Sequence, residues 1–395
     1  MHPVDTDASK PESRPHPMRI CLDARSPGQG GIATYIANLV DHLLRLEPDN
    51  YYLLLVDGNE ASRARPGVEE IVVPAGNPLL WFLWSNTRLP RLLRQHHIDV
   101  YHTLKHVTAF RMPTRAVVTL HGAEMIYRFH RVYAWYDLLY WRIVYPVAGR
   151  RYDRLLTATD CEAELFSERK RISIEKFRKT PFAAATRFQK ITDPLRLAEA
   201  GRRLALPARF VLFVGRLHEI KNLERLIRAF ARARPRLADS IHLVLTGATT
   251  GAYYRRLTRL VDELGLGDRV RFTGELSDDL PLVFNLADAF VLISLYENFG
   301  LVLLEAMACG APVIASAITD LDDVVGQAAV RVPPTDVDAI SDALIDVLGS
   351  PERRADLSAR GLEQARRFSW DRCAQQTLDV YRELAAELPV VVEVG

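Results

Sequence analysis

At 395 residues the chain is longer than one ordinary α/β core, and a prior of roughly 100–200 residues per domain points to two domains. Hydrophobic residues make up 48% and charged residues 25%, a composition that excludes a disordered or fibrous chain. A formal net charge of +2 gives no general electrostatic ground for binding nucleic acid.

Residues 1–17, MHPVDTDASKPESRPHP, are polar and proline-rich with no apolar core, which predicts a flexible tail rather than a secretory signal. From Met18, MRICLDA reads as a strand, the glycines around Gly30 and Gly31 as a loop, and IATYIANLVDHLL as a helix. YYLLLV from Tyr51 is a second buried strand, so the chain opens as a parallel βαβ unit, whose ligands sit at strand C-terminal ends. IDVYHT, AVVTLHG and LLTATD extend the same sheet. Residues 18–185 form the first domain, and the polar, basic residues 186–208, which show no strand, connect it to the next.

The alternation then repeats. RFVLFVGRL is a strand, KNLERLIRAFARA an amphipathic helix, and IHLVLTG, VRFTG, AFVLIS, APVIAS and AAVRVP are further strands, giving a second domain over residues 209–365. Residues 366–388 read as one more helix that caps or bridges the domains. No uncharged apolar run reaches the roughly 18–20 residues of a membrane-spanning helix. A cytoplasmic location is the expectation. Cys21, Cys161, Cys309 and Cys373 are widely spaced in no metal-ligand pattern and read as reduced, buried thiols.

Two segments carry chemistry. In VGRLHEIKN, Arg216 and Lys221 lie between a strand end and a helix start, where unpaired backbone N–H groups and the helix dipole attract anions. A solvated basic turn explains them equally well by position alone. In SLYENFGLVLLEAMACGAPVIAS, a loop with Glu297, Asn298, Phe299 and Gly300 runs into a helix holding Glu305. Leu301, Leu303, Leu304, Ala306 and Met307 surround Glu305, so the helix is apolar nearly all round and a carboxylate there needs a partner that a ligand can supply. An ionised carboxylate suits a vicinal diol.

These segments resemble the Arg-x4-Lys and Glu-x7-Glu motifs of the retaining glycosyltransferases of family 4, and the similarity runs from about Met18 to Leu388. That resemblance implies the GT-B fold, an α/β architecture of two Rossmann-like doubly wound domains facing across a cleft. It implies a nucleotide-sugar donor, GDP-mannose or a UDP-sugar, and transfer of a hexosyl unit to a glycan, lipid-linked or small-molecule acceptor with retention at the anomeric carbon. Arg216 and Lys221 would hold the donor diphosphate, Glu305 the ribose and Glu297 a hydroxyl of the transferred sugar. Backbone N–H groups around Phe299, Gly300 and Leu301 would assist. Gly30 and Gly31 would meet the phosphates from the first domain, and His121, after AVVTL, would lie beside the anomeric carbon. No Asp-x-Asp pair stands at a strand end, so neither a metal nor another cofactor is expected.

The chain departs from many relatives at His121-Gly122-Ala123-Glu124, where His-Asp is common, and at Leu321-Asp322-Asp323, where Asp323 replaces a longer carboxylate. Two stretches, WFLWSNTRLPRLLRQHH and YRFHRVYAWYDLLYWRIVYPVAGRRY, mix aromatic rings with arginine. Core rings with arginines reaching to water account for them, as does peripheral contact with the inner face of an anionic membrane; nucleic acid is disfavoured. Rival readings of the whole chain are a nucleotide-sugar epimerase and a non-catalytic donor-binding scaffold.

Overall fold

A computed structural model describes residues 17–25, 30–57, 68–73, 78–105, 109, 112–122, 142 and 145–387. The first sheet contains β1 (Arg19–Asp23), β2 (Tyr51–Val56), β3 (Glu69–Val72), β4 (Val100–Thr103), β5 (Arg115–Thr119), β6 (Arg154–Thr157) and β7 (Phe177–Lys179). The second contains β8 (Arg209–Val214), β9 (Ile241–Thr246), β10 (Val270–Gly274), β11 (Ala289–Leu292), β12 (Val313–Ser316) and β13 (Ala329–Val332). Every pairing in both is parallel. Strands such as Phe210–Val214 are apolar at every position, and a parallel sheet with helices on both faces buries such runs.

The strand orders, β3-β2-β1-β4-β5-β6-β7 and β10-β9-β8-β11-β12-β13, each reverse direction once, between β1 and β4 and between β8 and β11. Loops leaving adjacent strands there diverge to opposite faces and open a crevice at the carboxyl ends, the usual ligand position of doubly wound sheets.

The helices of the first domain are α1 (Gly31–Leu46), α2 (Pro78–Thr87), α3 (Leu89–Gln95), α4 (Tyr145–Gly149) and α5 (Asp160–Lys170). In α1 the buried residues Tyr35, Ile36, Leu39, Val40 and Leu43 fall on one stripe. Alternation along β1 divides the first domain's core: Ile20 and Leu22 face α1, whereas Cys21 faces the layer that includes Leu89 and Leu93. The charged edge strands β3 and β7 carry no apolar alternation, and the sequence reading passes over both.

Helix α6 (Pro194–Arg203) stands in the segment read as a bare connection. Asp193 caps it by accepting from the N–H groups of Leu195 and Arg196, and Pro194 fits the first turn, where no N–H is needed. It is fastened to the second domain: Arg203 pairs with Asp279, and Asn285 bonds the backbone of Gln189 and Ile191. The second domain continues with α7 (Leu223–Ala233), α8 (Gly251–Glu263), α9 (Leu280–Leu286), α10 (Leu301–Ala308), α11 (Asp322–Val325), α12 (Val337–Gly349) and α13 (Pro351–Arg366).

Helix α14 (Trp370–Ala386) then crosses back to the first domain and packs on α1 and β4. Trp370 stacks on Phe182, with ring centroids 6.2 Å apart, and Glu383 binds both Arg154 and Arg178 at 2.7 Å. Among the described residues no helix is long and apolar enough to cross a membrane. The four cysteines are free thiols; Cys161 is half-buried, in contrast to the expected burial of all four.

Candidate active site

The second sheet's crevice is formed by the loops after β8 and β11. Where β8 ends, the carbonyl of Gly215 comes so close to Gly247 that a Cβ there would stand 2.1 Å from its oxygen, so only glycine fits. Arg216 follows, exposed, and no carboxylate pairs with it among the described residues. The next residues make one turn of 3-10 helix, capped by the His218 ring, and the chain passes through Asn222 in a left-handed conformation, φ 60°. The Asn222 amide donates to the carbonyls of Ile293 and Pro334, and Leu295 N–H donates to the Ile220 carbonyl at 2.8 Å. The two loops are therefore one hydrogen-bonded unit.

That unit brings Lys221 against Glu297. The ammonium is bonded to Glu297 Oε1, which also accepts from Ser294 Oγ at 2.6 Å. The residue assigned to the diphosphate and the residue assigned to the sugar are thus in direct contact, both largely shielded from water. Glu297 Oε2 and the remaining ammonium protons are the groups this arrangement leaves for a ligand.

Phe299 is buried, with its ring 5.0 Å from Phe182 and 5.9 Å from Phe368, so its side chain packs and only its backbone can serve a ligand. Gly300 starts α10 at φ 73°, and a Cβ there would lie 2.7 Å from Leu303 and 2.8 Å from Leu321. No side chain caps this helix and no acidic residue stands in its first turn, which leaves the N–H groups at Leu301 and Val302 open to an anion. Inside the helix Glu305 is 8% exposed, without a hydrogen-bonding side-chain partner among the described residues. Burial pushes its carboxyl up to about 8, and the nearby Arg187 offsets only part of that.

From the first domain, β5 delivers His121. Its Nε2 lies 2.8 Å from the Leu104 carbonyl, which can only accept, so Nε2 carries the proton and Nδ1 is left as an acceptor. Burial lowers His121 to about 4, with Lys105 adding to the effect, and the ring is neutral at physiological pH. It packs edge-on against Tyr35, 4.8 Å between centroids, and against Phe182 at 5.7 Å. Phe182 therefore touches His121 and Phe299 together, and joins the two halves of the crevice. The next residue, Gly122, has φ 67°, and a Cβ on it would sit 2.9 Å from the Asn298 Cβ.

Gly30 and Gly31 are exposed, with nothing within 4 Å of an added Cβ. They begin α1, again with no capping side chain and no acidic first turn. No contact joins them to Arg216, Lys221 or Glu297 among the described residues, so the structure groups eight of the ten candidates by contact or by shared loop and leaves this pair apart. Lys105, just beyond β4 and held below the usual lysine range by burial, was not singled out in the sequence, although a polar residue after a strand end was the available signal. Glu124 and most of the second aromatic stretch lie outside the described residues. Asp323 pairs with Lys179 at 2.6 Å. Among the described residues no group of three or more His, Cys, Asp or Glu side chains could hold a metal ion.

Two family models match the chain, Glycosyltransferase Family 4 over residues 29–180 and Glycosyl transferases group 1 over residues 200–364. The chain belongs to the GT-B glycosyltransferases. Sucrose-phosphate synthase from Thermosynechococcus elongatus is similar across 94% of this chain and 100% of that one, at TM-score 0.77 and 25% identity. Anabaena HepE, solved in complex with UDP and glucose, shares the GT-B fold at TM-score 0.73 and 18% identity, over 93% of this chain and 100% of that one. In sequence, D-inositol 3-phosphate glycosyltransferase of Salinispora tropica is 42% identical over 199 residues, 48% of this chain and 41% of that protein. O-antigen chain mannosyltransferase B of Escherichia coli is 38% identical over 176 residues, 44% of this chain and 46% of that protein. The matched stretch thus spans about half the length of these curated relatives.

Proposed function

We propose that this GT-B chain transfers a hexosyl unit from a nucleotide sugar to an acceptor hydroxyl with retention of configuration. The observation that carries the reading is the Lys221–Glu297 pair held between the joined loops after β8 and β11, with Arg216 on the first loop, the uncapped start of α10 and buried Glu305 following the second, and neutral His121 linked to that second loop through Phe182.

Breaking the bond to the diphosphate puts negative charge on the leaving group and positive charge on the sugar, so the main requirement is fixed, preorganised charge. Arg216, Lys221 and the N–H groups of α10 stabilise the diphosphate. Glu305 accepts from the ribose, Glu297 Oε2 from a sugar hydroxyl, and His121 Nδ1 from another hydroxyl at the anomeric end. Glu297 is committed to Lys221 and Ser294 through Oε1, which makes it a poor covalent nucleophile. Attack by the acceptor on the leaving-group face, with its proton passing to the diphosphate, fits this arrangement. Closure of the domains excludes water.

The donor is GDP-mannose or a UDP-sugar, and the acceptor is a glycan, a lipid-linked sugar or a phosphorylated polyol, the last in view of the Salinispora relative's name. A polysaccharide-assembly role inside the cell, at the inner membrane face, accords with the first domain's surface. Leu80 and Leu83 on α2 are 57% and 50% exposed, Arg88, Arg91 and Arg94 stand exposed beside them, and no acidic residue occurs from Ile71 to Ile98. Apolar side chains bordered by unneutralised arginine suit an anionic lipid surface.

The test is a thermal-shift screen of UDP, GDP, ADP and their sugar conjugates. A ligand at about 100 times its Kd adds roughly 2.7 kcal/mol to stability. Stabilisation by one base, with release of its diphosphate on adding acceptor, supports transfer. Binding without turnover supports the scaffold, and conversion of the sugar without an acceptor supports an epimerase.

A further inference from the structure

The groups assigned to the donor sugar come from opposite domains, His121 from the first and Glu297 from the second, and one carboxylate touches the residue after each of them. Glu162 Oε1 accepts from the N–H of Gly122 at 2.8 Å. The Asn298 amide, with its nitrogen facing Glu162, donates to Oε1 and Oε2 at 2.9 and 3.0 Å, while its oxygen accepts from Gly122 N–H at 3.3 Å. A backbone N–H, a carboxylate and an amide thus close a small ring across the domain boundary.

Glu162 is a rigid reference for this ring. It is only 2% exposed and lies in the first turn of α5, whose start is fixed by Thr159 accepting from Glu162 N–H at 3.2 Å. In a site of low polarity a carboxylate that takes three hydrogen bonds from two donor groups is held far more tightly than a surface pair. The left-handed backbone of Gly122 and its tight approach to Asn298 leave no slack between the loops.

We propose that Glu162 is a positioning residue for the transfer reaction, setting the separation of His121 and Glu297 across the sugar when the domains are closed, with Asn298 as its counterpart. The proposal rests on the sugar-site reading above. It differs from general adhesion between domains, which the structure supplies elsewhere: Lys179 binds Asp160 of the first domain and Asp323 of the second at 2.6 Å each, on a more exposed part of the boundary.

The experiment compares wild type with Glu162→Gln, Asn298→Ala, the double variant and Lys179→Met. Affinity for UDP and GDP is measured by calorimetry, and kcat and KM are measured for the nucleotide sugar that wild type turns over, with donor hydrolysis as a second readout. On the proposed reading the nucleoside diphosphate is held by Arg216, Lys221, the start of α10 and Glu305, none of which is altered, so its Kd is expected to stay at the wild-type value in every variant. The kcat is expected to fall about a hundredfold in either single variant, as for a misplacement of about 1 Å, and no further in the double, while Lys179→Met stays close to wild type. Full kcat in Glu162→Gln and Asn298→Ala, losses that multiply in the double, or equal damage from Lys179→Met would each overturn the proposal. Should Glu162→Gln fail to fold, Asn298→Ala against wild type decides alone. A wild type that binds no nucleoside diphosphate and turns over no nucleotide sugar removes the transferase reading and this proposal together; an active wild type indifferent to Glu162→Gln removes only the proposal.

Discussion

Lys221 and Glu297 are bonded to each other at the mouth of the second sheet's crevice, so neither can be altered without releasing the other. Replacing Lys221 by Ala leaves a shielded carboxylate without its cation and removes the cation proposed for the diphosphate. Turnover is expected to drop by about a hundredfold or more, with the melting temperature lowered only modestly. Glu297→Gln keeps the shape and should lower kcat while nucleoside diphosphate affinity stays the same. Wild-type kcat in both variants, measured at saturating donor, would count against the assignment.

Glu305 is expected to hold the ribose. Its replacement by Ala should weaken UDP or GDP binding by about 1.5–3 kcal/mol, the range for a hydrogen bond to a charged group, when measured above pH 8, where the carboxyl is ionised. Calorimetry on the variant is the check, and unchanged affinity would place the ribose elsewhere.

The same carboxyl makes stability depend on pH. Folded chains keep it protonated up to about 8, whereas in the unfolded chain it ionises near its ordinary 4.5. Folding therefore binds a proton in that window, and this group's stabilisation, complete at acidic pH, is lost as pH rises through 8. Buried His102 and His121, lowered to about 3 and about 4, act in the opposite sense below their ordinary 6.5, where stability falls as pH falls. Urea unfolding between about pH 6.5 and 8.5 should show a decline in wild type that Glu305→Gln flattens. An identical slope in both would mean that Glu305 is not the group responsible.

Gly300 combines a left-handed backbone with a collision awaiting any side chain. Gly300→Ala should cost about 1–3 kcal/mol and weaken nucleotide binding through the displaced start of α10. Gly251 also has positive φ, 88°, but open space around it, so Gly251→Ala isolates the backbone part and should be the milder change. Equal losses in the two would show that the contacts with Leu303 and Leu321 do not matter.

Vesicle sedimentation tests the α2–α3 surface. Binding to vesicles containing phosphatidylglycerol at low salt should weaken as salt rises, and should fall in Leu80→Ser/Leu83→Ser and in Arg88→Gln/Arg91→Gln/Arg94→Gln. Equal sedimentation with purely zwitterionic vesicles would contradict an electrostatic contribution.

The elements that carry the second domain's candidate residues could be read from the chain because they are local. Arg216 and Lys221 flank one strand-to-helix turn, and Glu297 and Glu305 one loop and the helix it starts, while the roles expected of them came from the resemblance. Glu162 could not be read this way. It looks like an ordinary acidic residue in a helix's first turn, and only the folded chain sets it between Gly122 and Asn298, 40 residues away in one case. Strands β3 and β7 escaped notice because EEIV and FRK lie at sheet edges, where charged residues replace apolar alternation. Helix α6 was hidden in a polar stretch, its Asp193-Pro194 start being the one local signal.

Helix α14 has a consequence for how the protein is made. Its Glu383 pairs with Arg154, 229 positions earlier, and its Tyr381 hydroxyl meets the buried His102 ring. On a ribosome the first domain emerges well before the helix that completes its core, and must wait with the α1–β4 surface uncovered while the whole second domain is synthesised and folds. Loss of the final helix would thus be felt first in the oldest part of the chain.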